Sequence, residues 1–244
     1  MIPDLNDCEK IRIKLNILTR VFFTYYIIWI YNLSSLVFLK QIEISMKSVC
    51  VYLGANSGNN NQFSEAVVSL AKELANMGLT LIYGGSSLGM MGLLATTVKE
   101  HGGKAIGIIT KNLIEKEKPL DLLDELHIVD TMQERKRMMQ QMADVFIVMP
   151  GGLGTLEEAF ETWNAIKIGE LKKSIGFLNI NGYFDGLFSF IGTCEQNGLL
   201  LKKDANIPIV QPNVPSLLAQ MITPPKEVVE VRNPSMDMGQ PQFI

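Results

Sequence analysis

The stretch VFIVMPGGLGTLEE, residues 145–158, decides the fold of this chain. It begins with a short apolar run, continues through three glycines and ends in two adjacent carboxylates, Glu157 and Glu158. A short apolar run without alternation is typical of a strand that is buried on both faces of a parallel sheet. The glycines allow a sharp turn into a helix, and the first turn of that helix carries the carboxylates. The stretch therefore predicts a strand–turn–helix unit of an α/β protein.

Short apolar strands continue to alternate with amphipathic helices on both sides of this stretch. Spacing such as Phe63, Val67, Leu70 and Leu74 places apolar side chains on one face of a helix. This alternation is typical of a parallel sheet covered by helices on both faces, and the sequence contains no internal repeat and no interdomain linker. We predict one doubly wound, Rossmann-like α/β domain. The predicted strands are 48–53, 79–83, 105–109, 127–129, 145–149, 175–178 and 207–210, and the predicted helices are 62–77, 90–101, 132–142, 156–168, 183–197 and 214–221.

Composition limits the classes of function. Hydrophobic residues make up 47% of the 244 residues, which is enough for a sizeable core. The 25 acidic residues outnumber the 22 basic ones, whereas nucleic-acid binders carry a basic surface, so no nucleic-acid partner is expected. Cys8, Cys50 and Cys194 are far apart and form no CxxC pair, which indicates a reducing compartment. His101 and His127 are too few for a histidine metal site, and we predict that both are structural or solvated and that no metal is bound.

Three predicted strands end in glycine-rich loops, which we call the first (residues 54–58), second (84–92) and third (150–155) glycine loops. In open parallel sheets, ligands bind beyond the carboxyl ends of the strands. Each loop leads toward a helix N-terminus, whose free amides favour an anion, although glycine also serves the geometry of a sharp turn alone. Three such loops at equivalent strand ends favour a phosphate-ligand site. Neither GxxxxGK[ST] nor GxGxxG occurs, which excludes a Walker-type NTPase and removes the main support for a dinucleotide site.

A second cluster, MQERKRMM at residues 132–139, lies on the predicted helix before the strand 145–149, which leads into the third glycine loop. Taken alone, it could be a solvated charged helix face above a methionine-rich core. Glu157 and Glu158 could likewise do no more than stabilise a helix N-terminus. The pairing of this helix with the next strand and its glycine loop favours a functional role for both clusters.

Together the two clusters resemble the paired signatures of the Lonely Guy (LOG) family, an RK-containing helix start followed by PGGxGTxxE. Residues 150–158 match the second signature completely, and the resemblance covers about residues 47–200. It implies a Rossmann-like fold, usually a homodimer, and hydrolysis of the N-glycosidic bond of a purine nucleoside 5′-monophosphate, either a cytokinin riboside 5′-monophosphate or AMP. The products are the free base and ribose 5-phosphate, and no cofactor is required. Many relatives carry the name lysine decarboxylase, but no lysine here lies in a recognisable pyridoxal-phosphate context.

The resemblance also implies roles for individual residues. Arg135 and Glu158 are the catalytic pair, and Glu117 lies where the family has a glutamate that contacts the substrate. The other substrate-binding candidates are Lys136, Gly151, Gly152, Leu153, Gly154, Thr155, Leu156 and Glu157, together with Gly54, Gly85 and Asn164.

Two departures from the family pattern concern the substrate. Ser86 replaces the third glycine of the usual YGGG, and Asn164 with Ala165 replaces the usual Thr-Trp. They leave open whether the base is adenine or an N6-modified adenine. The apolar residues of the helix after Gly154 (Phe160, Trp163 and Ile166) could belong to the core or to a dimer surface.

Hydrolysis of an N-glycosidic bond passes through an oxocarbenium-like sugar, so the site needs a negative charge and an oriented water. We predict that Glu158 supplies the charge and polarises the water, while Arg135 orients Glu158 or the substrate, because a guanidinium is a poor proton donor. Amides of Gly152, Gly154 and Thr155 would hold the 5′-phosphate. The alternatives are a noncatalytic nucleotide or cofactor carrier on the same fold and a DNA-processing protein, which the acidic balance disfavours.

Residues 1–45 need a separate interpretation. Residues 21–39 form an uncharged run close to the ~20 apolar residues that span a bilayer, and basic residues precede it, so the segment could be a membrane-associated extension. Basic residues before such a run keep the N-terminus in the cytosol, so the domain that follows would lie outside the cytosol, away from nucleotide substrates. We favour Met46 as the natural start of a cytoplasmic protein, with residues 1–45 from an upstream in-frame reading. The predicted domains are 1–45, an extension; 46–224, the phosphoribohydrolase domain without membrane attachment; and 225–244, a loose tail.

Overall fold

A single parallel sheet forms the centre of the protein, for which a computed structural model describes residues 46–222. Within that range the strands are β1 (Ser48–Tyr52), β2 (Thr80–Tyr83), β3 (Lys104–Thr110), β4 (Glu125–Val129), β5 (Val145–Val148), β6 (Ser174–Leu178) and β7 (Ile209–Gln211). The helices are α1 (Asn61–Asn76), α2 (Gly89–Glu100), α3 (Lys111–Glu117), α4 (Met132–Met142), α5 (Leu153–Lys167), α6 (Asp185–Gln196), α7 (Lys202–Ala205) and α8 (Val214–Ile222), with a 3₁₀ turn at Ile180–Gly182. The prediction of a Rossmann-like α/β fold is confirmed. The predictions for residues 1–45 and 225–244 lie outside the described residues.

The order of the strands explains where a ligand should bind. The sheet runs β4-β3-β2-β1-β5-β6-β7, so the chain builds outward from β1 in one direction and then from β5 in the other. β1 and β5 lie side by side, with Val51 opposite Ile147 and Tyr52 opposite Val148. Where the direction of building reverses, the loops that follow two neighbouring strands separate and leave a crevice. The first and third glycine loops follow these two strands.

Each face of the sheet has its own core, because side chains of a strand alternate between faces. Val49 and Val51 of β1 point into a cluster with α1, α2 and α8. Cys50 and Tyr52 point to the other face, where Met139 of α4 and residues of α5 and α6 cover them. Both faces of the central strands are therefore buried, as continuous apolar runs require.

Differences from the predicted elements lie at the sheet edge and in short helices. β4 is an edge strand, and its Leu126 and Ile128 are exposed, so it does not follow the pattern of burial on both faces. The short helices α3 and α7 are not predicted from the sequence, since one or two turns give too few positions for a periodic pattern. α5 begins three residues earlier than predicted, at Leu153, so that the glycine loop supplies its first turn. No helix among residues 46–222 has the length and apolar character needed to cross a membrane.

Candidate active site

A cavity of about 470 Å³ opens at the carboxyl ends of β1 and β5, at the reversal point of the sheet. The first and third glycine loops lie next to each other in its wall, and the first turns of α4 and α5 also contribute to it. The lining residues are Leu53, Gly54, Ala55, Asn56, Gly58, Phe63, Met90, Met91, Leu113, Glu117, Met132, Arg135, Pro150, Gly151, Gly152, Gly154, Thr155, Glu157, Glu158 and Tyr183.

The sequence fixes the start of α4 through a capping box. The Thr131 hydroxyl accepts a hydrogen bond from the Glu134 amide at 3.1 Å, and the Glu134 carboxylate accepts one from the Thr131 amide at 3.1 Å. This reciprocal pair satisfies amides that a helix start otherwise leaves without partners. It sets the register of the helix, which places Arg135 in the first turns and turns it toward β3 and α5.

Arg135 is buried and held from three sides. Its Nε donates to the Ile108 carbonyl at 2.9 Å, and its Nη1 donates to Glu158 Oε1 at 2.8 Å. The third contact is with the second glycine loop, where a Cβ atom at Gly84 would overlap the guanidinium. The guanidinium therefore has one fixed orientation, with its charge directed at Glu158.

Glu158 is also buried, at 8% exposure, while one edge of it lines the cavity. Burial raises the pKa of the Glu158 carboxyl above its ordinary value, and the charge and hydrogen bond of Arg135 oppose that rise. A partly desolvated carboxylate with a fixed cation is suited to stabilise positive charge or to accept a proton from water.

The third glycine loop presents free backbone amides to the cavity. α5 begins at Leu153, and the first amide with a helical partner is that of Leu156, which donates to Gly152 O at 3.1 Å. The amides before it have no carbonyl one turn earlier in the helix. A Cβ atom at Gly152 or Gly154 would meet no atom within 4 Å, so the surface above both residues is open. Free amides, a helix dipole and open space together form an anion-binding surface.

Lys136 contributes to a second ion cluster beside this surface. Its ammonium contacts the carboxylates of both Glu157 and Glu161, one helical turn apart on α5. These hydrogen bonds raise the pKa of Lys136 against the effect of its desolvation, so it stays charged. Lys136 therefore ties α4 to α5 and holds Glu157 at the cavity.

The structure brings most of the predicted site residues together. Arg135, Glu158, Glu117 and Glu157 line the cavity, as do Gly54 and, from the third glycine loop, Gly151, Gly152, Gly154 and Thr155. The other five candidates do not line it. Lys136 is engaged by two carboxylates, and Gly85 lies against Ile108 and Ile109. Leu153 and Asn164 are exposed, and Leu156 packs against the core.

The open question about α5 also receives an answer. Trp163 belongs to the core, where its Nε1 donates to the Asp204 carbonyl at 2.9 Å, and Ile166 packs against the same core. Phe160 stacks on Trp163 with ring centroids 5.8 Å apart but is 37% exposed.

Several lining residues carry no sequence signal of function. Phe63 appears only as one apolar position of α1, and Tyr183 only as the start of a helix, yet both line the cavity. Their rings meet edge to face with centroids 5.4 Å apart. Leu113 comes from the unpredicted α3. These three residues are far apart in the sequence, so only the three-dimensional structure shows that they line the same cavity.

The described residues contain no group of three or more histidine, cysteine or acidic side chains that could hold a metal ion. The two histidines of the described domain have local partners. His101 Nδ1 lies 2.9 Å from the Thr97 carbonyl, and His127 Nε2 lies 3.1 Å from Glu125 Oε2.

Sequence comparison identifies close relatives of known type. The family described as "possible lysine decarboxylase" matches residues 91–221. Cytokinin riboside 5′-monophosphate phosphoribohydrolase LOG5 of Arabidopsis thaliana is 37% identical over 183 residues, which cover 75% of this chain and 80% of the relative. Cytokinin riboside 5′-monophosphate phosphoribohydrolase LOG of Oryza sativa subsp. japonica is 37% identical over 175 residues, which cover 72% of each chain.

Solved structures with the same fold include molybdenum cofactor carrier proteins. The carrier of Chlamydomonas reinhardtii superimposes with a TM-score of 0.55 at 22% identity, covering 72% of this chain and 95% of the carrier. The molybdenum cofactor binding protein of Rippkaea orientalis gives a TM-score of 0.54 at 20% identity, with 72% and 95% coverage. At this identity the likeness concerns the fold alone.

Proposed function

The chain belongs to the LOG family, and we propose that it hydrolyses the N-glycosidic bond of a purine nucleoside 5′-monophosphate to the free base and ribose 5-phosphate. The substrate is a cytokinin riboside 5′-monophosphate or AMP. The relatives that are 37% identical to this chain over 183 and 175 aligned residues are named for this reaction. The PGGxGTxxE signature of this chain, residues 150–158, lies in the wall of the cavity.

One observation supports this function above the others: the buried ion pair of Arg135 and Glu158 lies beside an open helix N-terminus in the same cavity wall. The N-terminus of α5 can hold a phosphate, and Glu158 follows one turn later on the same helix. A phosphate held at one end of a ribose and a carboxylate near its other end match the two requirements of phosphoribosyl hydrolysis.

In the proposed reaction, amides of the third glycine loop hold the 5′-phosphate and fix the position of the sugar. As the bond from C1′ to the base nitrogen breaks, the Glu158 carboxylate stabilises the oxocarbenium-like charge at C1′ and accepts a proton from the water that attacks it, and the departing base takes up a proton from solvent. Arg135 keeps that carboxylate ionised and in one orientation through the 2.8 Å hydrogen bond. Because the phosphate supplies the positioning, a free nucleoside should be a much poorer substrate.

The residues do not fit the decarboxylase description. That name implies pyridoxal phosphate, which attaches through a lysine amine. The lining residues in the described part of the chain include no lysine. The neighbouring Lys136 is charged and bound by Glu157 and Glu161, so its amine is not free to form a Schiff base.

The experiment that tests the proposal is a product analysis. The full chain is incubated with AMP, with a cytokinin riboside 5′-monophosphate and with the matching nucleosides, and the free base and ribose 5-phosphate are measured by chromatography. We expect base release from at least one nucleotide and little from the nucleosides. A nucleotide that binds and is recovered intact would contradict hydrolysis and support the carrier alternative.

We further propose that the protein acts as a cytoplasmic homodimer. The outer surface of α5 and α6 exposes large apolar side chains, including Leu153 at 88%, Phe160 at 37% and Phe190. Exposed apolar side chains on these two helices favour a protein partner, and a second copy offers the same side chains in return. Light scattering after size-exclusion chromatography should give twice the mass of one chain; the monomer mass would contradict the proposal.

A further inference from the structure

Tyr183 lines the cavity and has no role in the reaction proposed above. It follows β6 and contacts the third glycine loop, which follows β5. Its hydroxyl donates a hydrogen bond to the Gly151 carbonyl at 2.7 Å. The ring is held by edge contacts on two sides, with Phe63 at 5.4 Å and Phe184 at 4.9 Å between centroids. Tyr183 is 45% exposed, and its hydrogen bond and these two ring contacts together place its hydroxyl against the loop.

The turn that carries Tyr183 is built by local hydrogen bonds. Asn179 Oδ1 accepts from the Phe184 amide at 2.7 Å, and Asn179 Nδ2 donates to Asp185 Oδ1 at 2.7 Å. Between them, Asn181 and Gly182 adopt positive φ angles of 50° and 72°. Asparagine and glycine tolerate this conformation better than other residues, which lets the chain reverse after β6 and aim Tyr183 back at β5.

The Gly151 carbonyl matters because it shares a peptide group with the Gly152 amide. The described residues contain no cis peptide bond, and in a planar trans peptide the C=O and the next N–H point in opposite directions. A hydrogen bond that draws the Gly151 oxygen to one side therefore turns the Gly152 N–H to the other. Two adjacent glycines otherwise allow this peptide to rotate at low cost.

We propose that Tyr183 is a positioning residue for phosphate binding: it locks the Gly151–Gly152 peptide so that the Gly152 amide faces the anion. This inference rests on the proposed function for its substrate, since it assumes that the third glycine loop holds a 5′-phosphate. Tyr183 acts through the backbone of the loop and not on the reacting atoms.

The test measures binding of ribose 5-phosphate by isothermal titration calorimetry, with adenosine as the probe that lacks a phosphate. In the full chain, Tyr183→Phe removes only the hydroxyl. Without that hydroxyl the Gly151–Gly152 peptide can rotate before the ligand binds, so the Kd for ribose 5-phosphate should rise about fivefold to tenfold, while the Kd for adenosine should stay unchanged.

Tyr52→Phe is the matched control. It also loses one tyrosine hydroxyl, whose partner is Thr162 Oγ1 at 2.8 Å and not the backbone of the third glycine loop, so it should leave both Kd values unchanged. Unchanged ribose 5-phosphate binding in Tyr183→Phe, an equal loss for both probes, or no phosphate binding by the wild-type protein would each overturn the inference. Because the readout is binding, the failure of base release alone would defeat the proposed function and leave this result standing.

Discussion

The second and third glycine loops look alike in sequence, but the protein uses their glycines differently. In the second loop the space next to each glycine is filled by the protein itself. Gly84 makes room for the Arg135 guanidinium, and a Cβ atom on Gly85, which has a φ of +79°, would lie 3.3 Å from Ile108 and Ile109. In the third loop a side chain at Gly152 or Gly154 would meet only open space in the cavity wall.

The second loop therefore serves the packing of the protein, and the third loop serves the binding of a ligand. Gly84 of the second loop allows Arg135 to approach and so prepares the ion pair, whereas Gly152 and Gly154 of the third loop leave a surface open to a ligand. The sequence pattern is the same because a sharp turn and a close ligand both exclude a Cβ atom. Substitutions in the two loops should therefore fail in different ways.

The largest expected effect comes from the carboxylate that the third loop delivers. Glu158→Gln keeps the shape of the side chain and removes its charge, so kcat for base release should fall by about two orders of magnitude or more. Glu161→Gln on the same helix is the control, because Glu161 contacts Lys136 and does not line the cavity. Near-normal turnover in Glu158→Gln would remove Glu158 from the chemistry.

The comparison itself is tested by a pair of glycine substitutions. Gly154→Ala should raise the Kd for ribose 5-phosphate about tenfold, because the methyl group enters the phosphate surface, while the helix gains roughly 0.5–1 kcal/mol. Gly85→Ala should do the reverse: it should lower the free energy of unfolding by about 1–2 kcal/mol, because of the positive φ, and leave the Kd nearly unchanged. Denaturant unfolding gives the free energy of unfolding of each variant, and calorimetry gives its Kd for ribose 5-phosphate. If both variants changed the same quantity, the two loops would not differ in role.

The ion pair of Arg135 and Glu158 should affect the pH dependence of kcat/KM. Activity requires ionised Glu158, so kcat/KM should fall as the pH drops through its pKa. Burial raises that pKa above the ordinary value of 4.5, which places the acid limb above the range of an exposed glutamate. Arg135→Gln removes the cation that opposes the rise, so the limb should move to still higher pH. An acid limb that does not move between wild type and variant would show that Arg135 does not act through Glu158.

The smallest effect should follow from restoring the family's glycine at position 86. Ser86 is buried, and its hydroxyl accepts from the Leu88 amide at 3.1 Å and donates to the Glu117 carbonyl at 3.3 Å. Ser86→Gly should therefore cost about 0.5–1.5 kcal/mol of stability, measured by thermal unfolding, with base release nearly unchanged. A large loss of turnover would place Ser86 in the site.

The sequence predicts those parts of the fold and site that depend on local patterns. Apolar runs identify the strands, and the motif that holds Glu158 lies at the carboxyl end of β5, where the sheet topology puts the cavity. Tyr183 could not be predicted, because its contact with Gly151 joins segments 32 residues apart through a turn of irregular geometry. For Lys136 the sequence predicts too much. Its position in the motif suggests a contact with the ligand, but in the structure its ammonium contacts two carboxylates.

The most direct test of the central claim is a crystal structure of the full chain carrying Glu158→Gln, soaked with AMP. The account predicts the 5′-phosphate within hydrogen-bonding distance of the Gly152 and Gly154 amides, and C1′ beside the side chain at position 158. A phosphate bound at the second glycine loop, or a sugar whose C1′ lies away from position 158, would contradict it.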